Sequence, residues 1–185
     1  MDQMYDNEFY NSNTYANIKD AFQEEASAYT RYKIYAMRAR EEGFMQIGDI
    51  MDETARNEKV HASIWLKLLE GNETPSTYEN LRTAYTIENH EWSIKYLEYA
   101  LEARREGYPH IAERFEQVAA VERHHDSRMR KLAFNIEHDI TFCKKNTNLW
   151  VCHNCGNVQY DLSAPCLCPV CGCSRAFYEI YRENY

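Results

Sequence analysis

The apolar residues between positions 111 and 136 follow the repeat of one face of an α-helix, with alternating steps of three and four residues. This stripe is formed by Ile111, Phe115, Val118, Met129, Leu132 and Ile136. Two positions of the same repeat hold Glu122 and His125, so a carboxylate and an imidazole lie on the face predicted to meet a hydrophobic core. Because an unpaired buried charge is costly, such a pair normally binds a metal ion or a polar partner.

A second segment carries the same arrangement, with Glu58 and His61 at the centre of a helical stripe. The other members of that stripe are Ile47, Met51, Thr54, Ile64 or Trp65, and Leu68. A single Glu-x-x-His pair on a core face is compatible with a satisfied polar pair. Two such pairs, 64 residues apart, favour metal ligands instead.

Two further helical stripes, one on each side of the second segment, also contain carboxylates. The first consists of Ile18, Phe22, Glu25, Tyr29, Tyr32 and Ala36. The second consists of Leu81, Tyr85, Glu88, Trp92, Tyr96 and Tyr99. Glu91 lies one helical turn after Glu88 and is therefore expected on the same side. Carboxylates off these stripes, such as Glu24, are interpreted as solvated.

Breaks in the pattern arrange the four stripes into two helical hairpins. The predicted boundaries are a turn near Gly43, a helix end at about Leu69, a loop at 71–76, a turn near Gly107 and a last helix end at about Ile140. Residues 40–44 resemble residues 104–108, so the hairpins are internal repeats. The carboxylates of the first hairpin lie roughly 22–27 Å from its turn, and those of the second lie at a similar depth. All four helices can therefore deliver a carboxylate to one level of one bundle.

Composition and charge narrow the function classes. The chain has 185 residues, of which 27% are charged, and a net charge of −8, which argues against a nucleic-acid partner because phosphate binding needs a basic surface. The chain contains no run of about 18 apolar residues, so no membrane-spanning helix is predicted. The loose polar arm at residues 1–13 lacks an apolar signal segment. We therefore expect a cytoplasmic protein without a membrane partner. In that reducing compartment the seven cysteines are expected to bind metal rather than form disulfides.

Two Cys-x-x-Cys-Gly motifs follow the helical part, after a segment at 141–149 that is predicted to be a polar linker. They consist of Cys152 with Cys155 and, after twelve intervening residues, Cys168 with Cys171. This spacing predicts a tetrahedral four-thiolate site, which suits either a structural zinc or a one-electron iron. A very small core around it is predicted from Trp150, Tyr160, Phe177 and Tyr178. Three cysteines lie outside the motifs and have no assigned role: Cys143, Cys166 and Cys173.

The helical stripes together contain five carboxylates and two imidazoles. They are Glu25, Glu58, Glu88, Glu91, Glu122, His61 and His125. So many acids cannot share a core without cations, and two metal ions with bridging carboxylates would neutralise them. Di-iron carboxylate bundles use one Glu from each of two helices and a Glu-x-x-His pair from each of the other two. This chain has that set with one carboxylate more, and mixed oxygen and nitrogen ligands favour iron or manganese.

In combination these motifs resemble the rubrerythrin family along almost the whole chain. The resemblance is carried by Glu25-Ala26-Ser27-Ala28 with Arg31-Tyr32, Asn57-Glu58-Lys59-Val60-His61-Ala62, Glu88-Asn89-His90-Glu91-Trp92, Val121-Glu122-Arg123-His124-His125, Trp150-Val151-Cys152 with Cys155-Gly156, and Cys168-Pro169 with Cys171. The twelve-residue interval between the cysteine pairs is that of the rubredoxin-like tail in this family.

The resemblance implies a mainly α fold. A ferritin-like di-iron four-helix bundle is expected over residues 1–141, followed by a small rubredoxin-like four-cysteine iron domain over residues 147–185. It also implies a non-haem peroxidase of oxidative-stress defence, which reduces hydrogen peroxide to water. Its electrons would come from NAD(P)H through rubredoxin or another donor reductase. A homodimer or larger homo-oligomer is expected, because in the family one chain's four-thiolate site lies near another chain's di-iron site.

The resemblance also implies a role for each site residue. Glu58 and Glu122 would bridge two irons, with Glu25 and Glu88 as terminal ligands and His125 on one iron. Glu91 and His61 would compete for the other iron according to its redox state. Tyr32 and Tyr96 match family tyrosines near the site, although their positions also suit the bundle core.

Two alternatives remain open from the sequence. The first is a ferroxidase or iron-handling protein that uses the same di-iron site with oxygen. The second is a non-enzymatic helical protein with a zinc ribbon, which a colourless four-thiolate site would distinguish from a red ferric one. The physiological donor, the metal loaded, the number of subunits and any exchange of domains between chains do not follow from the sequence.

Overall fold

The computed structural model describes residues 5–183. The protein is mainly α-helical with a small C-terminal β-sheet, as predicted, and it divides into two compact units, Met1–Pro75 and Ser76–Tyr185. Within the described range, no helix has the length and apolar character that a membrane span needs. The first four residues of the predicted N-terminal arm lie outside the described residues.

The first unit contains a short helix and a long helical hairpin. Its helices are α1 (Asn7–Tyr10), α2 (Asn13–Glu41) and α3 (Met45–Leu69). The prediction of a loose arm is wrong at α1, because Asp6 caps this turn by accepting a 2.9 Å hydrogen bond from the amide of Phe9. Ser12 caps α2 in the same way, with a 3.1 Å bond from the amide of Tyr15.

The hairpin of the first unit turns at the predicted glycine. Gly43 has a φ of +88°, which L side chains rarely adopt, so glycine ends α2 there without strain. The buried residues of α2 and α3 are all small: Ala36, Ala39, Gly48, Ala55 and Ala62. A Cβ atom on Gly48 would lie 3.0 Å from the carbonyl oxygen of Ala36. The two helices therefore approach each other closely.

The second unit begins with a second helical hairpin. Its helices are α4 (Thr77–His90), α5 (Tyr96–Arg105) and α6 (Pro109–Glu137). Ser76 and Glu79 form a capping box that starts α4, and Gly107, with a φ of +87°, ends α5. Five residues of π-helix, Glu91–Lys95, join α4 to α5 and are called the π segment below. The pattern of apolar residues predicts an uninterrupted helix here, so the π segment is a correction.

The second unit ends in a three-stranded antiparallel sheet with the order β2-β1-β3. Its strands are β1 (Cys143–Cys152), β2 (Val158–Ser163) and β3 (Tyr178–Ile180). The prediction of a linker at 141–149 is therefore wrong. Polar residues there form a strand because their backbone groups pair with distant residues, as where Asn148 lies opposite Asp161.

The core of the sheet contains two of the four predicted aromatic residues. Trp150 and Tyr178 are buried, whereas Tyr160 is 74% exposed and Phe177 is 46% exposed, so the prediction is wrong for the last two. The remaining buried positions of this core are held by Cys152, Ala164 and Cys168. Two of the predicted metal ligands are thus also core residues of the small sheet.

Candidate metal centres

The first hairpin brings together three of the predicted ligands, which we call the first triad: Glu25, Glu58 and His61. One ligand atom from each lies within 4.8 Å of the others. Nδ1 of His61 is 3.0 Å from Oε2 of Glu58, one turn away on α3, and 3.8 Å from Oε2 of Glu25 on α2. The side chains of Glu25, Glu58 and His61 are 28%, 17% and 50% exposed. The triad is therefore assembled but open on one side.

The second hairpin repeats this arrangement in a second triad of Glu88, Glu122 and His125. Nδ1 of His125 is 2.6 Å from Oε2 of Glu122 and 3.8 Å from Oε2 of Glu88. The side chains of Glu88, Glu122 and His125 are 22%, 16% and 36% exposed. The two hairpins thus present the same chemistry with nearly the same distances, as the internal repeat predicts.

In each triad a neighbouring carboxyl group helps to raise the pKa of one glutamate. The hydrogen bond with Glu58, followed by burial, raises the pKa of Glu25. The same contact and the bond with His61 lower the pKa of Glu58. Burial, followed by the hydrogen bond with Glu122, raises the pKa of Glu88. In each triad a raised carboxyl pKa thus reflects a second carboxyl group close by, and a cation at this place would remove that repulsion, which fits a metal-binding donor set.

Glu91 lies outside both triads, at the first position of the π segment. Its Oε1 accepts a 3.1 Å hydrogen bond from Nζ of Lys95. The equivalent position in the first hairpin is Ala28. Glu91 is thus a surplus carboxylate of the second hairpin, paired with a lysine side chain.

The internal repeat contains a sequence signal that indicates the π segment, namely a change in the offset between equivalent residues. Glu25 and Glu88 are offset by 63 residues, whereas Arg40 and Arg104 are offset by 64. The second hairpin therefore contains one additional residue between these positions, and the π segment lies between them. A single extra residue inside a helix is accommodated as a π turn, often at a functional site.

The two predicted tyrosines are half-buried on the ligand-bearing helices. Tyr96 begins α5 directly after the π segment, and its ring stacks on Phe115 at a centroid distance of 5.9 Å. Burial, followed by the negative charge of Glu91, raises the pKa of Tyr96, so its hydroxyl stays protonated at neutral pH. Tyr32 lies seven residues after Glu25 on α2, with its ring 6.5 Å from that of Tyr35.

A buried carboxylate beside the second triad does not follow from the stripe pattern. Asp126 is off the stripe and is therefore predicted to be solvated, but it is only 5% exposed, so that prediction is wrong. Its Oδ2 accepts hydrogen bonds from Asn89 Nδ2 at 3.1 Å and Trp92 Nε1 at 3.0 Å, and its Oδ1 accepts one from Arg130 Nε at 2.5 Å. Burial alone would raise the pKa of Asp126, but these bonds outweigh it and lower the pKa.

The Asp126 contacts belong to the second hairpin alone. By the repeat, the counterparts of Asp126, Asn89 and Trp92 in the first hairpin are Ala62, Ala26 and Tyr29. None of these three carries a carboxylate, an amide side chain or an indole. The hairpin with the extra residue and the extra carboxylate is therefore also the one with a buried polar link between α6 and the start of the π segment.

The four predicted cysteine ligands form one cluster at the base of the sheet. Their Sγ atoms lie within 4.8 Å of one another, with Cys152 and Cys171 3.8 Å apart and Cys155 and Cys168 3.6 Å apart. Each Cys-x-x-Cys turn closes with a glycine in the left-handed region, Gly156 at +76° and Gly172 at +73°. This geometry and donor set suit a tetrahedral thiolate metal site.

Two thiols of the cluster have pKa values that are shifted in opposite directions. A hydrogen bond with Asn154, followed by the backbone amide of Cys173, lowers the pKa of Cys171 to about 6. The backbone amide of Asn157 acts to lower the pKa of Cys155, but burial and the neighbouring sulfurs raise it to about 12. Without a cation the four sulfurs thus cannot all ionise together at neutral pH, and a metal ion would remove that repulsion.

The other three cysteines lie near this domain but outside the four-sulfur cluster. Cys143 is exposed at the start of β1, and Cys173 packs against the core of the sheet. Sγ of Cys166 accepts a 3.0 Å hydrogen bond from Nη2 of Arg175. These positions suit structural contacts at the edge of the domain.

The chain is similar in sequence to known proteins over nearly its whole length. The rubrerythrin family model matches residues 16–77 and 79–150. Rubrerythrin-1 of Clostridium acetobutylicum is 36% identical over 187 residues, which cover 93% of this chain and 96% of that protein. Rubrerythrin of Nitratidesulfovibrio vulgaris is 36% identical over 185 residues, with coverage of 94% and 97%. A structure of nigerythrin in a mixed-valence state covers 92% of this chain and 87% of its own at 24% identity, with a TM-score of 0.34.

Proposed function

This chain belongs to the rubrerythrin family, and from that premise we propose that it is a non-haem di-iron peroxidase that reduces hydrogen peroxide to water. The observation that carries the proposal is the presence of three preassembled donor sets in one chain, two Glu-Glu-His triads and one four-cysteine cluster. The triads offer oxygen and nitrogen ligands to redox metals, and the cluster offers sulfur ligands to an electron-relay metal.

The predicted fold class and cofactors are confirmed. The chain is mainly α, ferritin-like in its helical part, with a small rubredoxin-like four-cysteine domain. Its cofactors are two non-haem irons and one iron in the four-cysteine site, and the donor sets fit both. When bound, the iron pair supplies the two electrons that one hydrogen peroxide takes up, with two protons, to give two water molecules.

The proposed ligand roles follow the two triads. Glu58 and Glu122 are the proposed bridging ligands, because each is the least exposed member of its triad. Glu25 and Glu88 are the proposed terminal ligands, and His125 is a ligand of one iron. The supporting geometry is that each histidine already contacts both carboxylates of its own triad.

Glu91 and His61 are proposed as alternative ligands of the other iron. A carboxylate stabilises the more highly charged ferric ion, whereas a neutral imidazole suffices for the ferrous ion. Lys95 supports this proposal, because it offers the Glu91 carboxylate an ion-pair partner when the carboxylate is not bound to metal. Glu91 can thus leave the metal without becoming an unpaired charge in a partly buried place.

Tyr96 and Tyr32 are the proposed proton donors beside the iron pair. The raised pKa of Tyr96 keeps its phenol neutral near the charged carboxylates of the second hairpin. A neutral hydroxyl can donate a hydrogen bond or a proton to the oxygen that leaves. Tyr32 is the equivalent candidate on α2, two helical turns beyond Glu25.

The four-cysteine iron is proposed as the entry point for electrons. Its donors would be NAD(P)H-linked carriers, either rubredoxin or another donor reductase. Four sulfurs leave no open position for peroxide, so this site suits electron transfer rather than reaction with the substrate. A reducing cytoplasm is the proposed location, because all seven cysteines are unpaired thiols.

Two other functions use the same features differently. A ferroxidase would react with oxygen rather than peroxide, and a zinc ribbon would leave the four-cysteine site colourless. The deciding experiment is metal analysis of the purified protein, followed by anaerobic stopped-flow mixing of the reduced protein with peroxide and with oxygen. Faster oxidation by peroxide supports the proposal. Faster oxidation by oxygen, or zinc in place of iron at the four-cysteine site, contradicts it.

A further inference from the structure

Each hairpin carries two tyrosines one helical turn apart, on the helix that supplies the first glutamate of its triad or on that helix's continuation. They are Tyr32 with Tyr35 on α2, and Tyr96 with Tyr99 on α5. Both members of the pair are offset by 64 residues between the hairpins, whereas the two residues between them differ, Lys33-Ile34 in the first and Leu97-Glu98 in the second. The hairpins thus share the spacing of two phenols rather than the local sequence.

The inner tyrosine of each pair lies close to its triad. Tyr32 follows Glu25 by seven residues and Tyr96 follows Glu88 by eight, which is roughly 10–12 Å along the helix axis. Helical side chains lean toward the N-terminus of their helix, which is the side of the triad here. Burial, followed by the charge of Glu91 and those of the triad carboxylates, raises the pKa of Tyr96. The phenol of Tyr96 is therefore within electrostatic reach of the ligands.

The outer tyrosine of each pair reaches the surface. Tyr32 and Tyr96 are half-buried, whereas Tyr35 is 49% exposed and Tyr99 is 44% exposed. The ring centroids are 6.5 Å apart in the first pair and 6.2 Å apart in the second. Phe115 packs against both rings of the second pair, at 5.9 Å from Tyr96 and 5.4 Å from Tyr99. Because electron transfer weakens steeply with distance, rings this close exchange an electron readily.

The proposed function delivers electrons singly but consumes them in pairs. The four-cysteine site passes on one electron at a time, whereas hydrogen peroxide takes up two. With only one electron and one proton available, hydrogen peroxide gives one water molecule and one hydroxyl radical. That radical oxidises the nearest side chains, which include the triad histidines and Trp92, four residues after Glu88. A peroxidase of this design therefore needs a way to discharge a one-electron oxidant.

We propose that the two tyrosine pairs carry this oxidising equivalent from the iron pair to the protein surface. The inner phenol gives a hydrogen atom to the hydroxyl radical, which forms the second water molecule and leaves a phenoxyl radical. The outer phenol then gives a hydrogen atom to the inner one, so the radical moves to Tyr35 or Tyr99. There a small thiol donates the final hydrogen atom, and two of the resulting thiyl radicals couple to a disulfide. The pathway rests on the proposed function and adds protection against its one-electron side reaction.

The difference in exposure gives the pathway its direction. A small thiol can reach the outer phenols from solvent, whereas the inner phenols are covered on part of their surface. Packing alone also accounts for the ring contacts, because aromatic pairs with centroids about 4.5–7 Å apart are common in proteins. Phenylalanine would make the same ring contacts but has no hydroxyl hydrogen to give. Tyrosine-to-phenylalanine variants therefore separate a redox role from a packing role.

The test removes the outer hydroxyls and keeps the rings. Tyr35→Phe, Tyr99→Phe and the double variant are loaded with iron and reduced anaerobically with a limiting amount of dithionite, so that half-reduced iron pairs are present. Each sample is mixed with hydrogen peroxide and freeze-quenched, with and without cysteamine as the small thiol. Electron paramagnetic resonance measures the phenoxyl radical, and peptide mass spectrometry measures oxidation of Trp92.

We expect cysteamine to remove the phenoxyl signal of the unsubstituted protein and to leave most of the signal of the double variant. Each single variant should retain the unquenched signal of its own pair only. Oxidation of Trp92 should increase in Tyr99→Phe, which interrupts the pair of the same hairpin. The matched control is Tyr108→Phe, a 50% exposed tyrosine at the turn of the second hairpin, and it should behave as the unsubstituted protein.

Two results overturn the pathway: equal quenching of the radical in the double variant and the unsubstituted protein, or an indolyl radical in place of the phenoxyl one. The fully reduced protein provides the separate check on the proposed function. It should react with peroxide at the same rate in the unsubstituted protein and in the outer-tyrosine variants, with little radical formed, because both electrons are then available. An unsubstituted protein that binds no iron pair, or does not react with peroxide when fully reduced, overturns the proposed function and the pathway together.

Discussion

The indole Nε1 of Trp92 donates a 3.0 Å hydrogen bond to Oδ2 of Asp126, and this bond ties the π segment to α6. Asn89, three residues earlier, donates to the same oxygen, and Arg130 donates to the other. All the bonds are made to one buried carboxylate that directly follows His125 in the chain. The position of the π segment and the orientation of the second triad therefore depend on a common anchor.

We predict that Asp126→Asn weakens this anchor. The asparagine turns an amide NH2 toward hydrogen-bond donors, so the metal-free protein should lose about 1–3 kcal/mol of unfolding free energy. Iron binding should weaken by about 10–100-fold, as for other residues that orient metal ligands. Denaturant unfolding and iron titration measure the two effects. Glu98→Gln, an exposed change on α5, is the control, and equal behaviour of both variants would remove Asp126 from its positioning role.

The second prediction concerns the bridging carboxylates. Glu58→Ala or Glu122→Ala should lose both irons of the pair, because each residue is proposed to contact both ions. The remaining acids of the triads would then repel one another, and proton uptake would only partly relieve this. Iron analysis after anaerobic reconstitution is the measurement. Glu24→Ala, one position away from Glu25, should keep the wild-type content, while two irons retained in either bridging variant would refute the assignment.

The third prediction concerns Glu91 and its lysine partner. Glu91→Ala should still bind the iron pair but should be oxidised by peroxide more slowly and at a shifted reduction potential. Crystal structures of the diferric and diferrous forms provide the direct measurement. We expect Glu91 on the metal and away from Lys95 in the oxidised form, and His61 on the metal with the Glu91–Lys95 ion pair in the reduced form. Unchanged Glu91 and His61 distances in both states would rule out ligand exchange.

The fourth prediction separates electron entry from peroxide chemistry. Cys155→Ser should abolish turnover driven by an external NAD(P)H-linked donor, because the four-sulfur site loses a ligand. An iron pair reduced chemically beforehand should still consume one equivalent of peroxide. Cys143→Ser, at an exposed cysteine outside the cluster, is the matched control and should turn over normally. Donor-driven turnover that survives in the Cys155 variant would exclude the relay role.

The fifth prediction concerns the pH dependence of the first hairpin. Hydrogen bonds from Lys33 at 2.5 Å and Arg40 at 2.6 Å lower the pKa of Asp52 below its ordinary value of 3.8. A lowered folded-state pKa means that this stabilisation is complete above pH 3.8 and is lost as the pH falls through the folded-state value. Asp52→Asn should therefore lower the thermal midpoint at pH 7, and the difference should close below pH 3.8.

The control for Asp52 is its neighbour in the same ion network. Asp49 contacts Arg40 at 2.8 Å but its side chain is 72% exposed, against 17% for Asp52. Exposed ion pairs contribute little to stability, so Asp49→Asn should change the midpoint less at every pH. A pH-independent difference for Asp52→Asn would show that its effect is not electrostatic.

The helices and both triads follow from the sequence because one periodicity determines both. A residue pair three apart on an apolar stripe lies on one face of its helix, and the same spacing brings Glu122 and His125 to one point. The two turns can also be predicted from the sequence, since Gly43 and Gly107 both adopt the left-handed conformation that glycine permits. These features depend on neighbours along the chain, which a single sequence displays directly.

The features that are not predicted depend on contacts between separate elements. Asp126 is off the stripe, and its burial comes from Trp92 and Asn89 on another helix. Strand β1 is polar at its start, and its pairing partners lie beyond residue 157. The π segment is an intermediate case, because the change of repeat offset from 63 to 64 reveals an extra residue but not its conformation.

The burial of Cys152 and Cys168 in the core of the small sheet couples metal binding to the folding of this domain. Without metal, this core loses the ion that holds its four sulfurs together, and binding free energy in such domains is folding free energy. Iron-starved cells should therefore accumulate chains whose C-terminal segment is unfolded and open to proteases. The amount of intact protein would then track iron availability directly, without any change in synthesis.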